Sequence, residues 1–220
     1  MASILAPSEP MADDEVIEIT TPHGPARAHV ARAGAARAAL LIGHGAGGGV
    51  TAPDILAARG AALEAGVSVG RIEQPYRVAG RRSVAPTNQL DAAWLAVHAA
   101  LAGDDGAPLA GLPVIAGGRS SGARVACRTA TETGAAAVLC LAFPLHPPRR
   151  NPDAELKTRL PELQLVKVPV LVVQGERDPF GMPPRGRRRK VVVVPGDHSL
   201  RTGIKQVGPA VAAWLAKVLG

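Results

Sequence analysis

Apolar residues fall along this chain in two rhythms. Short, nearly continuous runs recur at Val16–Thr20, Ala28–Ala31, Arg37–Ile42, Val67–Ile72, Pro113–Gly117, Ala136–Leu141, Pro169–Gln174 and Lys190–Val194. Runs this short, bounded by Gly, Pro or Asp, read as strands, most of them buried on both faces. Between them lie segments of helical spacing: Pro53–Ala65, Leu90–Leu101 and Ala123–Glu132. Thr51 is a candidate N-cap for the first, with Pro53 in its first turn. The last segment, Ile204–Leu219, places Ile204, Val207, Val211, Trp214, Leu215 and Val218 on one face. Residues 74–86 read as irregular and basic, 101–112 as a loop, and 144–168 as a Pro- and Arg-rich connection with one or two short helical turns.

Buried strands alternating with helices predict the α/β class: a mostly parallel, eight-stranded sheet with helices on both faces. One domain over residues 15–220 fits a length of 220. Residues 1–14 are expected to fray.

Composition narrows the picture. Hydrophobic residues make up 47% and aromatic residues 2%, so the core is built from Ala, Val and Leu. That weakens any reading that stacks bases on aromatic platforms. The net charge of +7 is uneven, and the run Arg187-Arg188-Arg189-Lys190 with Arg185 carries much of it. Such a tract suits nucleic acid or a solvated loop. The solvated loop is preferred, because no nucleic-acid motif accompanies it. Cys127 and Cys140 sit in apolar stretches and read as reduced, buried thiols. No basic n-region or long apolar h-region opens the chain, and no stretch suits a bilayer, so a cytoplasmic location without membrane association is expected.

In parallel sheets, ligands bind beyond the carboxyl ends of the strands. Four such ends carry suggestive residues. After Pro113–Gly117 comes Gly118-Arg119-Ser120-Ser121-Gly122, which fits G-x-S-x-G. That spacing puts a serine on a sharp strand-to-helix turn, with glycines where strand and helix approach closely. After Pro169–Gln174 comes Gly175-Glu176-Arg177-Asp178, and after Lys190–Val194 comes Pro195-Gly196-Asp197-His198. A serine hydroxyl needs a base. His198 would take its proton, and Asp178 would orient the ring. Glu176 and Asp197 are rival acids, and Ser121 is a rival nucleophile outside the motif's register.

The fourth strand end is Gly43-His44-Gly45-Ala46-Gly47-Gly48-Gly49. It formally matches G-x-G-x-x-G, with Glu73 placed as a ribose-binding acid would be. A dinucleotide loop, however, runs straight into its helix, and here Gly49–Ala52 intervene before Pro53. The alternative is an oxyanion loop, with backbone N–H groups from Ala46 and Ser121. It explains four strand ends where the dinucleotide reading explains one. His44, Gly45, Arg119 and His146 are candidate substrate contacts. Arg119 could equally enter a surface ion pair, and His146 could equally be a structural, hydrogen-bonded residue. The histidines show no metal-ligand spacing, and neither metal nor cofactor is expected.

These stretches resemble the α/β-hydrolase superfamily, specifically its small, dienelactone-hydrolase-like members. The nearest likeness is to a family of predicted hydrolases that includes a testis-expressed protein and a chromatin acetyltransferase-complex subunit. The likeness rests on His44–Gly47, Gly117–Gly122 with Arg124, Phe143–Pro148, Val173–Gly181 and Gly196–Leu200, and covers roughly residues 16–219. It implies an α/β-hydrolase fold with Ser120, Asp178 and His198 as the triad. Two departures stand out. Only Met182–Arg189 remain where a helix usually precedes the last strand, leaving an open or loop-like edge. Dienelactone hydrolases proper use a cysteine nucleophile, and Cys127 lies too far beyond the elbow to replace Ser120, so that substrate does not come with the resemblance.

The reading is therefore a serine hydrolase acting on an ester, thioester or related acyl bond of a small or exposed substrate. The connection at 144–168 is too short for more than a minimal lid. The alternative is a non-catalytic interaction module on the same fold. A homo-oligomer is compatible with the sequence, and nucleic acid is a disfavoured partner.

Overall fold

A computed structural model describes residues 14–103, 105–148 and 155–220. The strands are β1 (Glu15–Ile19), β2 (Ala26–Ala31), β3 (Ala38–Gly43), β4 (Val67–Glu73), β5 (Val114–Arg119), β6 (Ala137–Leu141), β7 (Val170–Gly175) and β8 (Arg189–Val194). The helices are α1 (Pro53–Glu64), α2 (Pro75–Val78), α3 (Thr87–Ala102), α4 (Ser121–Thr129), α5 (Leu160–Leu165) and α6 (Ile204–Val218). One eight-stranded sheet runs in the order β1-β2-β4-β3-β5-β6-β7-β8. β1, β2 and β4 pair antiparallel, and every pair from β4–β3 to β7–β8 is parallel.

Strand alternation sorts the core into two layers. Ala39 and Leu41 of β3 point to the layer that holds Leu90, Trp94, Val125 and Leu163 from α3, α4 and α5. Ala38, Leu40 and Ile42 point to the layer that holds Ile55, Ala58, Val207, Val211 and Trp214 from α1 and α6. Among the described residues no helix is long and apolar enough to cross a membrane.

The strand order locates the crevice. From β3 the chain passes to β4 on one side, and from β5 to β6 on the other, while β3 and β5 are neighbours. Their carboxyl ends therefore flank a topological switch point, where the loops diverge and leave room for a ligand.

Several expected boundaries shift for physical reasons. Helix α1 is preceded by Ala52 as N-cap, not Thr51, and no side chain caps it. Helix α3 begins at Thr87, three residues before the expected Leu90, directly after Pro86 as its N-cap. Helix α4 stops at Thr129, and the following turn closes at Gly134 with a φ of 62°. Of the segment expected to fray, residues 1–13 lie outside the described residues. Asp14 belongs to the folded unit: its carboxylate is buried between Arg59, at 2.6 Å, and Arg71. Arg71 in turn donates to the Val50 carbonyl at 2.8 Å, tying the end of the glycine loop to β4.

Candidate active site

The nucleophile elbow is built by close backbone approach. Ser120 has φ 53° and ψ −110°, a conformation that costs about 1–3 kcal/mol for a non-glycine residue. The surroundings hold it there. β5 pairs with β6 up to Arg119↔Leu141, and the Ser120 N–H donates to the Leu141 carbonyl at 2.9 Å. A Cβ on Gly118 would sit 2.1 Å from the Gly122 carbonyl carbon, and one on Gly122 would sit 2.5 Å from the Gly43 carbonyl oxygen. Those two positions therefore admit only glycine.

Three strand ends then converge. The Ser120 Oγ lies 2.9 Å from His198 Nε2, and His198 Nδ1 lies 2.8 Å from Asp178 Oδ2. The carboxylate can only accept, so Nδ1 carries the proton and Nε2 is free to accept from the serine hydroxyl. The Asp178 Oδ1 accepts the Phe180 N–H at 2.9 Å. The Phe180 ring meets the His198 ring edge to face, with centroids 4.6 Å apart.

The rival groups point elsewhere. Asp197 is exposed and accepts from the Ser199 N–H and Oγ at 2.8 and 2.7 Å, which folds the turn behind His198. Glu176 is exposed and lies 3.9 Å from Arg177. Ser121 opens α4, and among the described residues its hydroxyl has no bond to His198. Its N–H, the first of the helix, has no intrahelical acceptor. Neither this N–H nor that of Ala46 is bonded to a backbone carbonyl among the described residues.

His44 and Arg119, expected as substrate contacts, both have partners within the protein. The His44 ring is only 2% exposed. Its Nε2 accepts the Gln74 N–H at 3.1 Å, so its Nδ1 holds the proton and donates to the Gly45 carbonyl at 2.8 Å. Burial lowers its pKa to about 4, and the ring is a neutral strut under the glycine loop. Arg119 donates from Nε to Asp54 at 3.2 Å and from Nη2 to the His198 carbonyl at 3.1 Å. Both of its ends are spent on holding the α1 terminus and the histidine loop together. Asp54 is buried, and burial raises its pKa despite this arginine.

Gly45 does lie at the elbow, where a Cβ would meet Arg119 Nη1 at 2.8 Å and Ser120 Cβ at 3.3 Å. His146 donates from Nδ1 to the Lys157 carbonyl at 2.9 Å, and its N–H reaches the Phe180 carbonyl at 2.8 Å. These two bonds tie the connection after β6 to the acid loop.

Two residues escaped the sequence reading. Gln174, fully buried at the end of β7, has its Nε2 within 2.7 Å of Asp178 Oδ2, 3.1 Å of the Phe143 carbonyl and 3.0 Å of the Gly181 carbonyl. An amide inside a valine strand, four residues before the acid, was the available signal. Tyr76 packs edge-on against His44 and donates to the Ala46 carbonyl at 3.3 Å. Burial pushes its pKa up to about 12, so the hydroxyl keeps its proton. Beside it, His23, Pro75, Tyr76, Arg81, Gln89 and Leu90 help line a cavity of about 180 Å³. Among the described residues no group of His, Cys, Asp and Glu could hold a metal ion.

Residues 36–210 match the family described as an alpha/beta hydrolase domain. No curated protein matches the chain. Solved structures are similar over nearly its whole length. A serine hydrolase without a lid from Xanthomonas campestris superposes with a TM-score of 0.71 at 17% identity, covering 96% of this chain and 97% of that one. The Est1E protein from Butyrivibrio proteoclasticus gives 0.73 at 16% identity, covering 93% and 98%. A dienelactone hydrolase from Anabaena variabilis gives 0.72 at 16% identity, covering 93% and 97%. At these identities the likeness is one of fold.

Proposed function

The chain belongs to the alpha/beta hydrolase domain family, and on that premise we propose that it is a serine hydrolase that cleaves an ester, thioester or related acyl bond. One observation carries the reading: a continuous chain from Ser120 Oγ through His198 to Asp178, with links of 2.9 and 2.8 Å, at the switch point of the sheet.

His198 Nε2 removes the hydroxyl proton as Ser120 Oγ attacks the acyl carbon. The negative charge that develops on the acyl oxygen is met by the N–H groups of Ala46 and Ser121, with the N-terminus of α4 behind them. His198 hands its proton to the leaving alcohol or thiol, and an acyl-enzyme remains on Ser120. Water, deprotonated by the same nitrogen, then releases the carboxylic acid and restores the serine. Asp178 holds the ring and favours the imidazolium in both halves.

Substrates in this reading are small. The cavity of about 180 Å³ beside Tyr76 is lined by none of Ser120, Asp178 and His198, so the reading rests on the short connection between β6 and α5 and not on that cavity. The serine hydrolase without a lid is the neighbour whose description fits best. The finer kinship with the family of the testis-expressed protein and the acetyltransferase-complex subunit belongs to the same proposal. So does a cytoplasmic location, which the unbridged thiols of Cys127 and Cys140, 3.6 Å apart, suit. Hydrolysis of a panel of short acyl esters and thioesters tests the activity. The wild type should turn over at least one member and Ser120→Ala none. Equal rates for the two proteins would leave the interaction-module reading in its place.

A further inference from the structure

The sheet ends at β8 on an edge whose hydrogen-bond inventory is short and specific. The Val170 N–H donates to the Arg188 carbonyl at 2.7 Å, and the Glu176 N–H to the Val194 carbonyl at 2.9 Å. Even-numbered residues of β8 therefore turn their backbone groups toward β7, and Arg189, Val191 and Val193 turn theirs outward. Arg189 is already closed by the turn to Gly186, through bonds of 3.0 and 3.1 Å. Past the other end, Pro195 has no N–H. The N–H and C=O of Val191 and Val193 are left, and among the described residues nothing bonds to them.

No helix lies between β7 and β8, and the Val193 side chain is 47% exposed. A run of four valines on an uncovered edge is a template for another strand. The opposite edge, β1, carries Glu15 and Glu18 within its five residues and is blunted by charge.

We infer that β8 pairs antiparallel with β8 of a second copy, about a two-fold axis at Val192. Only this register places Val191 opposite the partner's Val193 and satisfies every free N–H and C=O of both residues. A register centred on Val193 leaves the Val191 carbonyl without a donor. One centred on Val191 sets Val193 against the closed Arg189. The pairing brings Val191 beside the partner's Val193 on one face, so the exposed valine becomes a cross-strand contact. Charge follows the same axis. The exposed Arg187–Arg188 turn of one copy lies along the partner's Val194–Asp197, where Asp197 and Glu176 are exposed carboxylates. The two arginine turns themselves sit at opposite ends of the joint. The basic run thus meets acidic groups of the same protein, and the joint is isologous and closed.

Sedimentation equilibrium of the wild type, Val193→Pro and Val192→Cys tests this. The Val193 N–H points away from β7, so proline there leaves the internal ladder intact; circular dichroism checks that the fold is retained. The wild type should sediment at twice the 22.5 kDa chain mass, and Val193→Pro at the single mass. Residues 192 of the two copies form a non-hydrogen-bonded pair with Cα atoms about 4.5 Å apart, within disulfide reach. Mild oxidation should therefore link Val192→Cys into a covalent dimer. It should not link Val193→Cys, nor the wild type, whose cysteines are buried. A wild-type monomer at the highest soluble concentration, a series of larger open oligomers, or a dimer that survives Val193→Pro would each overturn the inference.

Discussion

Arg119 holds the main chain of His198: its Nη2 donates to the His198 carbonyl oxygen at 3.1 Å, while its Nε is held by Asp54 at 3.2 Å. The residue beside the nucleophile thus fixes the loop that carries the base, through a planar fork that lysine cannot reproduce. Arg119→Lys should lower kcat about 10- to 100-fold, the range expected for a misplaced reacting group. KM should change little, because Nε and Nη2 are engaged by Asp54 and by the His198 carbonyl. Steady-state kinetics on the best substrate of the panel checks the split. A rise in KM at constant kcat would return Arg119 to the substrate-contact role.

His44 gives stability a pH dependence of known sign. In the native state the ring takes a proton only near pH 4, whereas the ordinary value is 6.5. Between those values the unfolded chain binds more protons than the folded one, so stability falls as pH drops through the window. From pH 7 to pH 5 the loss is about 2 kcal/mol. Urea unfolding at both pH values, for the wild type and His44→Gln, isolates it. The wild type's lead over the variant should shrink by that amount at pH 5. An unchanged lead would mean that the ring is not held neutral.

Gln174 should matter more than its place in an apolar strand suggests. Gln174→Met keeps the volume but leaves Asp178, the Phe143 carbonyl and the Gly181 carbonyl without their amide donor. Each unsatisfied buried group costs about 1–3 kcal/mol, so a loss of roughly 2–4 kcal/mol is expected, with kcat reduced about tenfold as the acid loosens. Gln174→Glu adds a second carboxylate within hydrogen-bond distance of Asp178. Its stability should therefore rise relative to Gln174→Met as pH falls and the pair takes up a proton. Thermal unfolding across pH compares the two variants.

Much of this architecture was legible because parallel strands advertise themselves. All eight strands coincide, to within a residue or two, with apolar runs, and β3, β4 and β7 are the plainest because both of their faces are covered. The serine, acid and histidine were legible because each follows directly on such a run. What the chain conceals is partnership. Asp54 stands 65 residues before Arg119, and no local pattern joins them. His44 looked like a ligand-facing group because its glycine neighbours suggest an open loop, yet the Gln74 N–H beyond the next strand draws it inward. Asp14 read as part of a polar tail because Arg59 and Arg71 come together only when α1 packs on β4. The short segment before β8 points to an open or loop-like edge, but the free groups of that edge are countable only once the pairing with β7 is known.

The proposed reaction requires Ser120 to be an activated nucleophile. Treating the folded protein with a fluorophosphonate probe and mapping the adduct by peptide mass spectrometry tests it most directly. A single modification on Ser120 is expected, absent in Ser120→Ala and strongly slowed in His198→Ala. Well-folded wild-type protein that takes no label, or takes it on Ser121 instead, would mean that Ser120 is not the activated nucleophile.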